Sequence, residues 1–243
     1  MDLGITRRTA VVTGGSRGIG AATARMLEQE GARVYAASRA DGVDVTDPAA
    51  PERILDALGG EAPDILVNNA GTSFARELDE LTEEDWQSQW ELHVMASMRL
   101  MRAFAPRMAE RGWGRIVNVT SSAGKRPSLT NAAYSVTKAA QSSLSRIFAD
   151  TYGAQGVLVN AVAPGPVASS LWMDEGGLAD QTATARGLSR EESVKAQEGK
   201  TTLGRFGTPE EIASVVVFLC SERAADVAGA HWSVDGGTVA TIV

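Results

Sequence analysis

A tyrosine and a lysine four positions apart, Tyr134 and Lys138, are the residues of this sequence with the clearest chemical potential. Residues four apart share one face of a helix, so both side chains can act on the same bound molecule. A tyrosine with its reference pKa near 10 is a poor base at neutral pH. A lysine ammonium about 4 Å away contributes roughly 4 kcal/mol at an effective dielectric constant of about 20, which lowers that pKa by about three units. The pair therefore predicts general acid–base catalysis, although an exposed pair on a surface helix is the more common meaning of this spacing alone.

A glycine-rich segment, residues 13–20, follows the first apolar run and opens the first amphipathic one. Gly14 permits a tight turn, Gly18 lets the backbone approach a pyrophosphate, and Gly20 allows a helix to pack close to a sheet. The N-terminus of that helix directs unpaired N–H groups at the anion. The pattern predicts dinucleotide binding, although a purely structural strand-to-helix turn can have the same sequence. The residues expected at the dinucleotide are Gly14, Ser16, Arg17, Gly18, Ile19 and Gly20.

The residues after the second apolar run indicate which dinucleotide is bound. NAD-specific sites have an acidic residue about twenty positions after the glycines, where it holds the ribose 2′-hydroxyl. This sequence has Ser38 at that position, and the guanidinium groups of Arg39 and Arg17 can enclose a 2′-phosphate. NADP(H) is therefore the predicted cofactor. The nearby Asp41 keeps NAD open, in which case both arginines are solvated loop residues.

Short apolar runs alternate with amphipathic segments along the chain, which indicates βαβ units and a parallel sheet. The runs are rich in Val and Ile and nearly continuous, as expected for strands that are covered on both faces. The predicted strands are residues 9–13, 33–38, 64–68, 115–120, 158–163 and 231–234, and the predicted helices are 18–30, 49–58, 83–110, 133–152 and 209–221. No linker divides the chain, so we expect one α/β domain over residues 1–243, a Rossmann-type three-layer αβα fold with a doubly wound, mostly parallel sheet.

Composition excludes several other classes of protein. The net charge is −7, and no basic run is longer than a pair, which argues against a nucleic-acid partner. A single cysteine, Cys220, excludes an intrachain disulfide and a cysteine metal site, and with only two histidines we expect no bound metal. The longest uncharged stretch, residues 151–173, is interrupted by Asn160, Pro164 and Gly165, so we expect no membrane span and a cytoplasmic location.

Further motifs accompany the tyrosine–lysine pair in one consistent order. They are Asn68-Asn69-Ala70-Gly71, Ser121, Tyr134-Ser135-Val136-Thr137-Lys138, Asn160, Pro164-Gly165 and Asp235-Gly236-Gly237. Together with the glycine spacing Gly-x-x-x-Gly-x-Gly they cover essentially the whole chain, which resembles the short-chain dehydrogenase/reductase (SDR) family. The resemblance implies an oxidoreductase that transfers a hydride between a nicotinamide cofactor and a carbonyl or secondary alcohol.

The resemblance also implies a role for each matching residue. Tyr134 is the expected proton donor, Ser121 holds the substrate oxygen, and Lys138 lowers the tyrosine pKa and binds the ribose hydroxyls. A strand-end cap is the alternative role of Ser121, which lies thirteen residues before Tyr134. The remaining residues expected at the cofactor are Ser38, Arg39, Asp44 and Val45 near the adenosine, Asn69, Ala70 and Gly71 near the ribose, and Pro164, Gly165, Val167 and Ser169 near the carboxamide.

One position departs from the family pattern. The family usually has an asparagine on the long helix before the serine, where it holds a water in a relay to the lysine. Here the position twenty-eight residues before Ser121 is His93. Histidine can also hold a water, and it titrates near neutral pH. Two hypotheses are therefore open: His93 takes part in the proton relay, or it is a packed helix histidine while the relay runs through backbone and water.

We expect an NADP(H)-dependent enzyme that acts on the carbonyl or alcohol of a small molecule. The first alternative is a 3-oxoacyl-(acyl-carrier-protein) reductase, which a net charge of −7 disfavours because the carrier protein is acidic. The second is a catalytically silent dinucleotide sensor or scaffold, against which the intact Ser121, Tyr134 and Lys138 argue.

Two further expectations concern the outer parts of the molecule. The least regular segment, about 169–205, is polar and charged, and its place after a late strand predicts a substrate lid. Members of the family commonly pair through two long helices. Segments 83–110 and 133–152 are long enough for that, and residues 238–243 are apolar enough for a second contact, so we expect a homotetramer or homodimer.

Overall fold

The computed structural model describes residues 2–240, and a single sheet organises them. Its strands are β1 (Thr9–Thr13), β2 (Arg33–Ala37), β3 (Ile65–Asn68), β4 (Gly114–Val119), β5 (Val157–Pro164) and β6 (His231–Val234). Their order is β2-β1-β3-β4-β5-β6, and every neighbouring pair is parallel. The winding direction therefore reverses between β1 and β3. Sheets of this kind bind ligands outside the carboxyl ends of the strands at the reversal point.

Helices cover both faces of the sheet. They are α1 (Gly18–Gln29), α2 (Ala50–Ala57), α3 (Glu83–Trp90), α4 (Ala96–Glu110), α5 (Ala132–Tyr152), α6 (Ser170–Met173), α7 (Leu178–Arg186), α8 (Arg190–Glu198) and α9 (Pro209–Leu219). Successive strand residues point to opposite faces, so Val12 packs with Leu27 and Val216 while Val11 packs with Phe104 on the other side. The predicted three-layer, single-domain α/β fold is confirmed. Within residues 2–240, no helix is both long enough and apolar enough to cross a membrane.

The helix predicted over residues 83–110 is interrupted. Thr82 caps α3, because its hydroxyl accepts from the Asp85 N–H (3.2 Å) while the Asp85 carboxylate accepts from the Thr82 N–H (2.9 Å). A π-helical turn, Glu91–Met95, then separates α3 from α4. Within it, the His93 carbonyl accepts a hydrogen bond from the Ser97 hydroxyl (2.9 Å). Such turns are frequent at functional sites, and this one contains the residue that departs from the family pattern.

The two ends of the segment between β5 and α9 lie next to each other. Val167 and Gly207 form a parallel bridge, with the Ala168 N–H donating to the Gly207 carbonyl (2.8 Å) and the Gly207 N–H donating to the Pro166 carbonyl (2.9 Å). Residues 168–206 lie between these two ends and contain α6, α7 and α8. The sequence predicted an irregular segment here, and the structure corrects that prediction, because short polar helices occupy much of it.

Candidate active site

The glycine turn after β1 requires its glycines. Gly14 has φ +64° and Gly18 has φ +55°, a region in which residues with a side chain are rarely found. A Cβ at Gly20 would lie 2.3 Å from the Gly14 carbonyl oxygen and 2.5 Å from the Asn69 Nδ2 atom. The turn is therefore tight, and α1 begins close against it, as the sequence predicted.

A cavity of about 1150 Å³ lies at the carboxyl ends of the strands. Of the predicted residues, those on its wall are Gly14, Ser16, Arg17, Gly18, Ile19, Ser38, Arg39, Asp44, Val45, Asn69, Ala70, Gly71, Ser121, Tyr134, Lys138, Pro164, Gly165, Val167 and Ser169. Gly20 and His93 are not on the wall; Gly20 lies behind the turn, and His93 is fully buried behind Gly71. One cavity thus brings the glycine turn and the tyrosine–lysine pair together.

Ser121 follows β4 and contacts Tyr134. Its hydroxyl accepts from the Ala123 N–H (3.1 Å), which makes it the cap of a 3₁₀ turn, and it lies close enough to Tyr134 to influence the pKa of that residue. The capping role and the catalytic position are therefore compatible. Thr120 faces away, and its hydroxyl donates to the Val162 carbonyl (2.9 Å).

Lys138 is buried, with 3% of its surface exposed, beneath the tyrosine. Its ammonium donates to the Val119 carbonyl and to the Gln141 Oε1 atom, both at 2.9 Å. An ammonium group has three N–H donors, so one remains for the cavity that Lys138 lines. Burial lowers the pKa of Lys138 to about 7.

The Tyr134 pKa differs from the sequence-based prediction. Burial raises the pKa of Tyr134, and the neighbouring Ser121 hydroxyl offsets only part of that rise. The Lys138 Nζ atom lies 5.7 Å from the centre of the tyrosine ring and is held by other partners. The expected lowering of the Tyr134 pKa by Lys138 is therefore wrong for this structure, because desolvation of the phenolate is the larger effect.

His93 packs behind the tyrosine with both ring nitrogens in hydrogen bonds. The Thr137 hydroxyl donates to the Tyr134 carbonyl (2.9 Å), which leaves it to accept from His93 Nδ1 (3.0 Å). The Thr72 N–H approaches His93 Nε2 (3.4 Å), so Nε2 accepts. Burial and the charge of Lys138 lower the pKa of His93 well below its usual value. These contacts define a neutral imidazole with its proton on Nδ1.

The residues expected near the 2′-phosphate or 2′-hydroxyl of the adenosine ribose lie at the opposite end of the cavity. Arg17 and Arg39 are on the wall, whereas Asp41 is not, and the Asp41 carboxylate accepts a hydrogen bond from the Ser38 hydroxyl (2.6 Å). Hydrogen bonds from the Thr46 N–H and hydroxyl lower the pKa of Asp44. The positive charge of Arg39 lowers it further.

Comparison with known proteins identifies the family. A family model described as enoyl-(acyl carrier protein) reductase matches residues 14–239. The chain belongs to the short-chain dehydrogenase/reductase family. It is 32% identical to D-beta-hydroxybutyrate dehydrogenase of Rhizobium meliloti, over 96% of this chain and 99% of that protein. It is also 32% identical to 3-oxoacyl-(acyl-carrier-protein) reductase of Vibrio cholerae, over 95% and 96%.

A solved SDR structure has the same fold. L-sorbose reductase from Gluconobacter frateurii, complexed with NADPH and L-sorbose, superposes with a TM-score of 0.89 at 33% identity, over 100% of both chains. Dehydrogenases and reductases of this family act on alcohols and carbonyls, and this SDR chain is accordingly an NAD(P)-dependent oxidoreductase.

The cavity of this SDR chain fits a dinucleotide. The glycine turn has no room for an added side chain, since a Cβ at Gly14 would lie 3.0 Å from the Ala70 Cα atom. The start of α1 and two arginines supply donors for phosphate groups on the same wall. Within residues 2–240, no group of three or more His, Cys, Asp or Glu residues is placed to hold a metal ion.

Two residues behind the lysine were missed by the sequence analysis. The Gln141 Nε2 atom donates to the Ser97 hydroxyl (2.8 Å), and Ser97 donates in turn to the His93 carbonyl. Gln141 accepts from Lys138, so a continuous chain of hydrogen bonds joins the lysine to the π-helical turn. The available signal was the position of Gln141, three residues after Lys138 and therefore on nearly the same helix face.

Proposed function

We propose that this SDR enzyme is an NADP(H)-dependent reductase or dehydrogenase of a small molecule with a carbonyl or secondary alcohol. The observation that carries the proposal is that Ser121 and Tyr134 line the same cavity as the glycine turn. Lys138, anchored by two hydrogen bonds, lies beneath them. A proton donor, an oxygen-binding hydroxyl and a cation thus face one space.

The chain's own residues handle the oxygen and the proton. When bound, a nicotinamide cofactor would supply the hydride that the carbonyl carbon accepts. Ser121 holds the carbonyl oxygen, and Tyr134 donates its proton to that oxygen, so that hydride and proton together convert the carbonyl into an alcohol. The raised pKa of Tyr134 keeps the phenol protonated, which is the form that a proton donor needs. The remaining N–H of Lys138 is available to the ribose hydroxyls.

The cofactor that we propose is NADP(H), with NAD as the alternative. Arg17 and Arg39 would hold the 2′-phosphate, since both are on the cavity wall. Asp41, the residue that favoured NAD, is engaged by Ser38 and is not on the wall. The NADPH in the related L-sorbose reductase structure supports the same cofactor.

His93 is, in this proposal, a positioning residue and not a proton carrier. Its ring nitrogens are occupied by Thr137 and Thr72, and its lowered pKa keeps it neutral at physiological pH. Its ring meets the Tyr134 ring edge to face at 5.2 Å between centres. Of the two hypotheses for this position, the packed histidine is the one that these contacts support.

Residues 168–206 are the proposed substrate lid. Leu171, Trp172, Leu178 and Thr182 from this segment line the cavity, on the same wall as Ser121 and Tyr134. The names of the relatives do not agree on a substrate: one acts on a hydroxy acid, one on a carrier-protein thioester and one on a sugar. The Vibrio cholerae relative favours a carrier-protein reductase as the second candidate, and the net charge of −7 disfavours it.

Tyr134→Phe tests the proposed function. We expect turnover on a panel of ketones and alcohols to fall by about 10²- to 10⁴-fold, the range that a general acid supplies. NADPH binding, followed by its fluorescence, should be unchanged. Tyr152→Phe at the far end of α5 is the matched control and should behave as the parent. Near-parent turnover by Tyr134→Phe would refute the assignment, and cofactor binding without turnover by the parent would support the silent sensor.

We also propose that the enzyme is a homo-oligomer. Trp90, Val136 and Ile147, from α3 and α5, expose 39%, 48% and 60% of their surfaces, and exposed apolar side chains on helices are suited to an interface. Of the second predicted contact at 238–243, residues 241–243 lie outside the described part of the chain. Light scattering gives the test, because Ile147→Glu should shift the mass of the particle toward a smaller species and a monomeric parent would contradict the proposal.

A further inference from the structure

Three cationic side chains line the cavity away from the glycine turn. Arg126 follows β4 in the loop after Ser121, Arg186 is the last residue of α7, and Lys200 follows α8. They are far apart in the sequence and come from three different elements, so only the fold brings them to one wall. We call these three residues the cation cluster.

Members of the cation cluster are close enough to repel one another. The pKa of Lys200 is lowered by burial and then by the positive charges of Arg186 and Arg126. The Lys200 ammonium donates to the Gln197 Oε1 atom (3.0 Å), a neutral group that also lines the cavity. Three like charges that face one space destabilise each other unless an anion joins them.

No carboxylate in residues 2–240 forms an ion pair with the cation cluster. Other arginines near it are paired: Arg190 with Asp180 (3.0 Å) and Arg205 with Glu211 (2.6 Å). The only acidic residue on the described cavity wall is Asp44, at the cofactor end. In a protein of net charge −7, three cations without an acidic partner among residues 2–240 thus line the cavity in addition to Arg17 and Arg39 at its cofactor end.

A structural role accounts for only part of the cation cluster. Arg186 is in the last turn of α7, where a cation stabilises the helix dipole. That explanation applies neither to Arg126, which is in a loop, nor to Lys200, which follows the end of α8. A structural role therefore does not explain why all three cations line one wall, whereas an anionic ligand does.

We propose that the substrate carries an anionic group, a carboxylate or an equivalent oxyanion, which Arg126, Arg186 and Lys200 hold while its carbonyl lies at Ser121 and Tyr134. This inference rests on the proposed function and specifies its substrate class. All three cations are exposed residues that line the cavity together with Trp172. The net charge of −7 disfavours docking of an acidic carrier protein, so the ligand that we propose is a small anionic molecule.

Matched pairs of ketones test the substrate class. The parent enzyme with NADPH is assayed on 4-oxopentanoate against 4-oxopentanamide, and on 4-oxocyclohexanecarboxylate against its amide. Each pair differs in charge and hardly in size. We expect kcat/KM to be at least about tenfold higher for the acids, with most of the difference in KM. The advantage should shrink as salt rises from about 0.01 to 1 M, because the Debye length falls from about 30 to 3 Å.

Charge-removing variants assign the effect to residues. Arg126→Gln, Arg186→Gln and Lys200→Gln should each reduce the acid-to-amide ratio by about twofold to fivefold, as expected for exposed charges, through a larger loss with the acids than with the amides. Lys195→Gln is the matched control, because Lys195 is an exposed lysine of α8 that is not on the cavity wall. Its ratio should equal that of the parent.

The possible outcomes separate the two proposals. Equal turnover of acids and amides, unaffected by the three variants, overturns the anionic substrate and leaves the oxidoreductase intact. No turnover of any ketone or alcohol in a broad panel overturns the proposed function itself. If a 3-oxoacyl carrier protein is reduced far faster than any small acid, and the variants impair that reaction, the small-molecule part of the inference is wrong.

Discussion

Gln141 accepts a hydrogen bond from Lys138, the lysine of the proposed active site, and its replacement is the sharpest test of the site. Gln141 is 1% exposed and accepts a hydrogen bond from Lys138 at 2.9 Å. Gln141→Leu keeps the size of the side chain and removes the acceptor. A hydrogen bond to a charged group is worth about 1.5–3 kcal/mol, and about 1.36 kcal/mol corresponds to one pKa unit. The pKa of Lys138, about 7 in the parent, should therefore fall by roughly one to two units.

The pH dependence of kcat/KM for the cofactor reports this change, because that parameter follows the pKa values of the free enzyme. If the ammonium binds the cofactor, kcat/KM in the parent falls as the pH rises through about 7. In Gln141→Leu the fall should begin about one to two pH units lower. Gln141→Glu should move it the other way, because a neighbouring carboxylate favours the charged lysine.

Stability gives a second, independent readout of the same group. The Lys138 pKa is lower in the folded state than its ordinary value of 10.5, so between about pH 7 and 10.5 the unfolded chain binds more protons. The free energy of unfolding therefore increases as the pH rises through that window. In Gln141→Leu this increase should begin at a lower pH. Ser142→Ala is the control, since it removes hydrogen bonds to the Lys138 carbonyl and to His231 but none to the Lys138 ammonium. Identical pH profiles for the parent and both Gln141 variants would refute the reasoning.

Three other substitutions probe the remaining parts of the site. Arg39→Gln should lower kcat/KM with NADPH by about tenfold and spare the reaction with NADH, because only NADPH has a 2′-phosphate to lose; an equal fall with both cofactors would contradict NADP(H) preference. Gly20→Ala should reduce stability by about 1–3 kcal/mol, seen as a lower Tm, because its Cβ would lie 2.3 Å from the Gly14 carbonyl, whereas Gly153→Ala, with open space around it, should not. His93→Asn should leave the pH–rate profile unchanged and lower the Tm. A shift, between pH 5 and 8, of an apparent pKa in that profile would support the proton-relay hypothesis instead.

The sequence predicted the strands well, because a short apolar run is a local pattern that also marks a buried strand. The bounds of β1 and β6 agree with the prediction, and β5 extends it by one residue at each end. Polar helices were missed, because α7 and α8 bury few residues and have weak apolar periodicity. A signal did exist for α8: Ser189 and Glu192 form a capping box that is visible in the sequence as Ser-x-x-Glu.

Features that depend on burial and on long-range packing were beyond the sequence. The direction of the Tyr134 pKa depends on how deeply the ring is enclosed, which spacing to Lys138 does not reveal. The π-helical turn at Glu91–Met95 has neither glycine nor proline to announce it. Arg126 and Lys200 are separated by more than seventy residues, so no local pattern connects them.

The proposed lid, residues 168–206, begins and ends at the bridge between Val167 and Gly207 and is therefore a replaceable segment. Its two ends are held together by the rest of the domain, so grafting a lid of another length changes the free energy of loop closure by only about 0.6 kcal/mol for each doubling. The glycine turn, Ser121, Tyr134 and Lys138 all lie outside this segment, whereas Ser169, expected at the cofactor carboxamide, lies inside it. A graft that keeps Ser169 should therefore change substrate choice and leave the proposed proton-transfer residues in place.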